Sequence, residues 1–292
     1  MNMKSPDQKP RSIWRMALHR LAKNRIALLS ACILLTMLLV AAFAPLIAPQ
    51  NPNAVNIMMP HDPPSSAHWL GTDESGRDIV SRLIVGARAS MIVGLVSMVI
   101  SISIGVAIGG TAGFLGGWID AILMRFTDGM MAIPYFFLVL IVVAVFGTSF
   151  QNIVMVIGAT SWMVVARIVR SEVIRFRNYE FVTAAQSIGA SSPRILLRHV
   201  LPHTSSSIIV AATFGVANAI LLESALSYLG LGIQQPTASW GNMLSNSQAY
   251  LFDNPILPLY PGLLILVVVL SFNFLGDALR DALDPQYKEG SL

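Results

Sequence analysis

Long charge-free apolar stretches dominate the chain and alternate with short polar segments. Residues 26–47 run for 22 positions without a charge, 89–119 for 31 and 129–166 for 38. Crossing about 30 Å of hydrocarbon takes about 20 apolar residues at about 1.5 Å each. The first stretch therefore predicts one spanning helix, and the second predicts another with slack at its glycine-rich end. The third is too long for one span. Its middle, Gly147-Thr148-Ser149-Phe150-Gln151-Asn152, is a polar turn that divides it in two. Further apolar runs at about 205–229 and 257–275 bring the predicted count to six. Between Gly76 and Arg88, apolar Ile79, Val80, Leu83, Ile84 and Ala87 recur at helical spacing, which predicts a short interfacial helix ahead of the second span. The proline-rich stretch 49–64 predicts an extended loop.

Composition agrees with a membrane solvent. Of 292 residues, 54% are hydrophobic and only 12% charged, against about 25% charged in soluble domains. That is too little charge to cover a soluble surface, and ordinary glycine and proline counts exclude collagen-like or low-complexity structure. The net charge of +4 is concentrated. Lys4, Lys9, Arg11, Arg15, Arg20, Lys23 and Arg25 face one acid, Asp7, in the first 25 residues. Arg167, Arg170, Arg175, Arg177, Arg194 and Arg198 gather in 167–198 beside Glu172 and Glu180. Basic clusters flanking apolar runs mark cytoplasmic segments, which removes nucleic acid as a partner. The predicted topology has both termini and 167–204 inside, with 49–88 and 231–256 outside. Arg77, Arg82 and Arg88 fall outside, where Asp62, Asp73, Glu74 and Asp78 offset them. The single cysteine, Cys32, excludes a disulfide framework, and the first apolar run reads as a span rather than a cleaved signal. The chain divides into a cytoplasmic segment 1–25, a first span 26–48, an extracytoplasmic loop 49–88, a core 89–280 holding five spans and a cytoplasmic loop 172–204, and a cytoplasmic tail 281–292.

Candidate chemistry is sparse. Gly105, Gly109, Gly113 and Gly117 recur every four residues, a groove suited either to a helix interface that slides or to tight packing. Glu223 lies deep in the fifth span, either lining a path or bonding to another subunit. Arg125 and Asp128 are three apart on a helix and are expected to pair. Met130 and Met131 read as packing residues, and no metal site is expected. His199 and His203 straddle Pro202 without an acidic partner, no phosphate-binding glycine loop occurs, and no nucleophile elbow is present. The chain is therefore not expected to be an enzyme. In the cytoplasmic loop, Asn178 is the expected N-cap of a short helix, with Glu180 in its first turn. Gly189 fits the left-handed position that ends it. Ser192 is the expected cap of a second short helix with Pro193 at its first position, and Pro202 its expected end. Ala184 and Ala185 give the first helix a flat surface for another protein's groove, or the helix rests on lipid headgroups.

Thr183-Ala184-Ala185, with Gly189 after three residues and Leu201-Pro202 after eleven more, resembles the EAA loop of permease subunits of binding-protein-dependent ABC importers. Thr183 stands where glutamate is usual and His199 where an aliphatic residue is usual. The resemblance implies that Glu180, Thr183, Ala184, Ala185, Gly189, Leu201 and Pro202 couple the chain to an ATPase, so Gly189→Asp or a bulky charge at Ala185 should abolish transport without unfolding the spans. His68-Trp69-Leu70-Gly71-Thr72-Asp73, Gly76-Arg77-Asp78, Leu229-Gly230-Leu231-Gly232, Pro236, Trp240-Gly241 and 273–285 are similar to signatures of the second permease in the peptide/nickel branch. That likeness implies an all-α, six-span type I importer permease fold in a bacterial plasma membrane. It implies a second homologous permease, two ATP-binding subunits and an extracytoplasmic binding protein as partners. ATP and Mg would sit on the ATPases, with no cofactor in this chain. Short peptides are the expected cargo, with nickel or a chelate as the alternative. A membrane scaffold or sensor, and an ion-coupled secondary transporter, are the rivals from other classes. The latter is weakened by the absence of recognisable inverted repeats or broken midplane helices.

Overall fold

The computed structural model describes residues 13–283. Lys4, Asp7, Lys9, Arg11, the Arg15 side chain and Asp284-Pro285 lie outside the described residues. Among those residues the structure is helical, with one isolated bridge between Thr72 and Asp78. A short α1 (Ile13–Lys23) leads into α2 (Arg25–Ile47), whose N-cap Asn24 accepts from the Ile26 and Ala27 N–H groups. Then come α3 (Ile79–Leu115), α4 (Gly117–Met131), α5 (Tyr135–Phe146) and α6 (Phe150–Phe176). The short helices α7 (Glu180–Ser187) and α8 (Ser192–Ile195) precede α9 (Leu201–Tyr228), and α10 (Trp240–Ser247) and α11 (Ile256–Leu283) close the fold. Five uninterrupted helical stretches are long and apolar enough to span a membrane. The pair α4–α5, bent by 86° at its break, makes a sixth when counted as one span.

Several sequence expectations are corrected here. No separate interfacial helix precedes the second span: Asp78 caps α3 by accepting from the Ser81 N–H, and the helix runs 37 residues without a break. Its first turns do not lie on a membrane face, because Ile79, Leu83 and Ala87 are buried against the core and Trp240 Nε1 donates to the Leu83 carbonyl. The third crossing is a broken helix rather than a straight one. Its break at 132–134 falls at Pro134, which lacks an N–H and restricts Ile133 before it. Gly105, Gly109 and Gly113 do form one seam, but Gly117 leaves it, with φ +56° at the start of α4. A Cβ on Gly109 would come within 2.2 Å of the Ala166 carbonyl oxygen, and one on Gly105 within 2.6 Å of Val165 Cβ. The seam is filled by α6 and is tight packing. From the opposite side Gly158 admits Ser97, whose hydroxyl donates to the Val154 carbonyl at 2.8 Å. Helices α3 and α6 thus form the spine, with α9 packed on both and α11 packed on α9 and α2.

The two ends of the bundle differ in chemistry. One end, here called the cap, holds 49–78 and 229–255 on a buried ion network. Arg77 donates to Asp73 (2.7 Å), Glu74 (2.7 Å) and Gln235 (2.9 Å), while Arg82 reaches Asp73 at 3.3 Å and the Pro52 carbonyl at 3.2 Å. His68 meets Asp78 at 3.0 Å. Of the four acids that offset the arginines in the sequence, Asp73 and Glu74 are partners of Arg77 and Arg82 in space, while Asp78 meets His68 and Ser81. Arginines gather at the other end, where Arg177 donates to the Gly113 carbonyl at 2.8 Å and ties the ends of α3 and α6 together.

Candidate functional site

The segment 172–204 sits at the arginine-rich end and is built as two short helices around a glycine corner. Asn178 does not cap α7. Its amide reaches back to the Ile174 carbonyl, and Tyr179 occupies the cap position without a side-chain bond. Glu180 supplies the first-turn negative charge that the free N–H groups favour. Gly189 has φ +79°, with the Ala190 N–H donating to the Ala185 carbonyl, as a left-handed helix stop requires. The second helix begins one residue earlier than expected: Ser191 is its cap and Pro193 lies within its first turn. Pro202 does not end it. Residues 196–200 form a wider turn in which the Leu201 N–H donates to the Leu196 carbonyl, and the chain continues into α9. That widened turn re-routes the hydrogen bonds that a proline would otherwise orphan.

The coupling candidates do not share one surface. On α7, Val182 and Ala185 turn inward and are 1% and 5% exposed, packed into the main core cluster. Glu180, Thr183, Ala184 and Gly189 are exposed, as is Pro202, while Leu201 is half-buried against the same core. The flat surface assigned to Ala184 and Ala185 is thereby split, since adjacent residues on a helix sit about 100° apart. Sequence reasoning missed two features. Ile188 is 85% exposed beside the glycine corner, an apolar side chain that nothing covers among the described residues. An aromatic cluster also seats α7 on the spans: His203 lies 5.5 Å from Phe176 and 5.0 Å from Phe181, and Tyr179 lies 5.2 Å from Phe176. The sequence signal for it is the recurrence of Phe176, Tyr179 and Phe181 around the start of α7.

Glu223 is fully enclosed within the chain. One carboxylate oxygen accepts from Ser227 at 2.7 Å and from Ser239 at 3.0 Å; the other has no partner. Ser239 in turn caps α10 in a reciprocal box with Asn242. In this structure Glu223 therefore joins α9 to the cap. Arg125 and Asp128 do not pair with each other. Asp128 pairs with Arg167, and Asp120 takes a bidentate bond from Arg170, with 2.6 Å between Nη2 and Oδ2. Both acids face α6, since Arg167 and Arg170 lie on it.

Residues 105–289 match the family model described as the binding-protein-dependent transport system inner membrane component. The chain belongs to that family. Residues 12–64 also match the N-terminal transmembrane domain of oligopeptide transport permease C. Among curated relatives, the dipeptide transport system permease protein DppC of Alkalihalophilus pseudofirmus is 42% identical over 95% of this chain and 91% of its own length. The oligopeptide transport system permease protein OppC of Bacillus subtilis is 38% identical over 97% and 92%. Among solved structures, an inward-facing form of the MetNI methionine ABC transporter superposes with a TM-score of 0.56 and 16% identity, covering 69% of this chain and 96% of that one. At that identity the likeness is one of fold. This importer permease is thus an integral membrane subunit of a transporter complex, in a family whose members are not catalytic. Family membership overturns the secondary-transporter and scaffold readings. The argument from missing broken helices fails on its own terms, because α4–α5 is one.

Proposed function

We propose that this permease is one of two homologous membrane halves that together carry short peptides inward. Its cap faces the outside and receives cargo from a binding protein, and both termini and α7 face the cytoplasm. Two ATPase subunits dock on the exposed face of α7 through Glu180, Thr183, Ala184 and Ile188. ATP and Mg reside on those subunits, and this chain carries no cofactor. The observation that supports peptides as cargo is near-full-length similarity to relatives named for dipeptide and oligopeptide transport. Alternating access is the mechanism proposed for it. A push on α7 is passed through Val182 and Ala185 to the core, and the continuous α8–α9 stretch carries it along a spanning helix. Purification from the native membrane in nanodiscs, with mass spectrometry of partners and ligand, tests the reading. A second permease, two ATPases and a peptide-loaded binding protein are the expected set. Recovery of the chain without an ATPase, under conditions that preserve comparable complexes, would overturn it.

A further inference from the structure

We infer that the break at residues 132–134 lines a water-filled stretch of the translocation path near the membrane midplane. The inference rests on the transport reading but uses a separate set of observations. The first is depth, for which α6 serves as a ruler. From Phe150 to Arg170 it rises about 30 Å, the thickness of the hydrocarbon. Ser161 lies about 16 Å along that rise, and its hydroxyl is 2.6 Å from the Tyr135 hydroxyl. On the other side of the break, Asp128 pairs with Arg167. Residues 132–134 are thus held between the levels of Ser161 and Arg167, inside the apolar slab.

The second observation is exposure. Met131, Ile133 and Tyr135 are 36–41% exposed, and Ala132 and Pro134 are exposed as well. A Cβ on Gly129 would meet nothing within 4 Å. The third is the backbone. The first-turn N–H groups of α5, at Tyr135, Phe136 and Phe137, have no intrahelical partner, and Pro134 offers them no side-chain cap. The Ala132 and Ile133 carbonyls accept no backbone bond among the described residues. Unpaired backbone groups do not face lipid: irregular backbone at membrane depth is tolerated where protein satisfies it or where it borders water. Residues 131–135 stay exposed, so no other element among the described residues covers the break. Polar groups continue along the same strip, from the half-exposed Asp128–Arg167 pair to Tyr135–Ser161, a climb of about 9 Å on the α6 ruler. Hydration satisfies every group in that strip at once.

The test uses the assembled transporter, and the chain's single cysteine makes it simple. In a Cys32→Ser background, Ala132→Cys and Ile133→Cys are introduced singly, with Leu35→Cys on α2 as a mid-span control that is 58% exposed. Each complex is treated with a charged methanethiosulfonate and the mass shift is followed with time. Because the thiolate is the reactive form, a hydrated site should react at least about tenfold faster than one in hydrocarbon. The expected result is rapid labelling at 132 or 133, slow labelling at 35, and loss of peptide uptake on labelling. Labelling no faster than at 35 would overturn the inference. So would oxidative cross-linking of these cysteines to the second permease without reagent access, which would make the break a subunit contact. Failure of the Cys32→Ser parent to take up peptide would count against the cargo reading alone, since labelling rates still report hydration of the break.

Discussion

Gly109 and Gly129 occupy helices twenty residues apart, and their surroundings give them opposite sensitivities. At Gly109 a methyl group would run into the backbone of Ala166, which cannot swing aside. Gly109→Ala should therefore force α3 from α6 at a cost of about 1–3 kcal/mol, read as a lower melting temperature of the purified complex. At Gly129 a methyl group meets open space, and Gly129→Ala should leave melting unchanged or raise it by up to about 1 kcal/mol through helix propensity. Equal effects of the two would mean the seam is not the tight interface described. Glu223 gives a second contrast. Glu223→Gln keeps an oxygen to accept from Ser227 and Ser239, so melting and uptake should change little. Glu223→Leu strands both hydroxyl donors, at about 1–3 kcal/mol for each one left unpaired. If the leucine variant melts like the parent while the glutamine variant loses uptake, the side chain belongs to transport and not to packing.

At the scale of elements, α7 has two unlike faces: Val182 and Ala185 pack into the core, and the exposed face is the proposed ATPase dock. Ala184→Asp adds charge on the exposed face and should release the ATPases while the complex-free permease melts normally. Ala185→Asp adds charge to the core beneath, so it should lower the melting temperature as well as uptake. Measuring ATPase co-purification beside thermal stability separates the two, and identical behaviour of the variants would refute the two-face assignment. The spans, the glycine corner at Gly189 and the division at Gly147 were legible because each follows from local chemistry: apolar length, a position open to positive φ, a polar turn. Four prolines show where legibility stops. Pro45 and Pro261 lie inside helices, Pro202 begins one, and Pro134 breaks one. The residue type is the same in each case. Of the four, only Pro202 follows a widened turn, at 196–200, while Pro45 and Pro261 sit in uninterrupted α-helix, so residue type alone does not set the outcome. The inward turn of Ala185 was hidden for a related reason: periodicity shows that a helix has two faces, while the core decides which one it covers.

Taken whole, the permease is fastened differently at its two ends, and this predicts separable failures. Loops at the cap have few helical hydrogen bonds of their own, and their placement depends on Arg77, whose side chain is only 4% exposed and which joins Asp73 and Glu74 to Gln235 from the far side of the cap. Removing one member of a buried ion network leaves the others desolvated and unpaired, which costs about 3–5 kcal/mol. Arg77→Met, which keeps the apolar stem and loses the charge, should therefore loosen 49–78 from 229–255. Asp73 would keep only Arg82, at 3.3 Å, as a charged partner. Protease added on the cap side of sealed vesicles should then cut within 49–78 faster than in the parent. The far end has its own fastening in Arg177 to Gly113 and the aromatic seat of α7, so ATPase co-purification should be unaffected. Such a variant would hydrolyse ATP yet fail to accept cargo. Unchanged proteolysis would show that apolar packing of Trp240 on α3, and not the ion network, holds the cap. Simultaneous loss of the ATPases would show that the spine transmits the damage, and that the two ends are one cooperative unit.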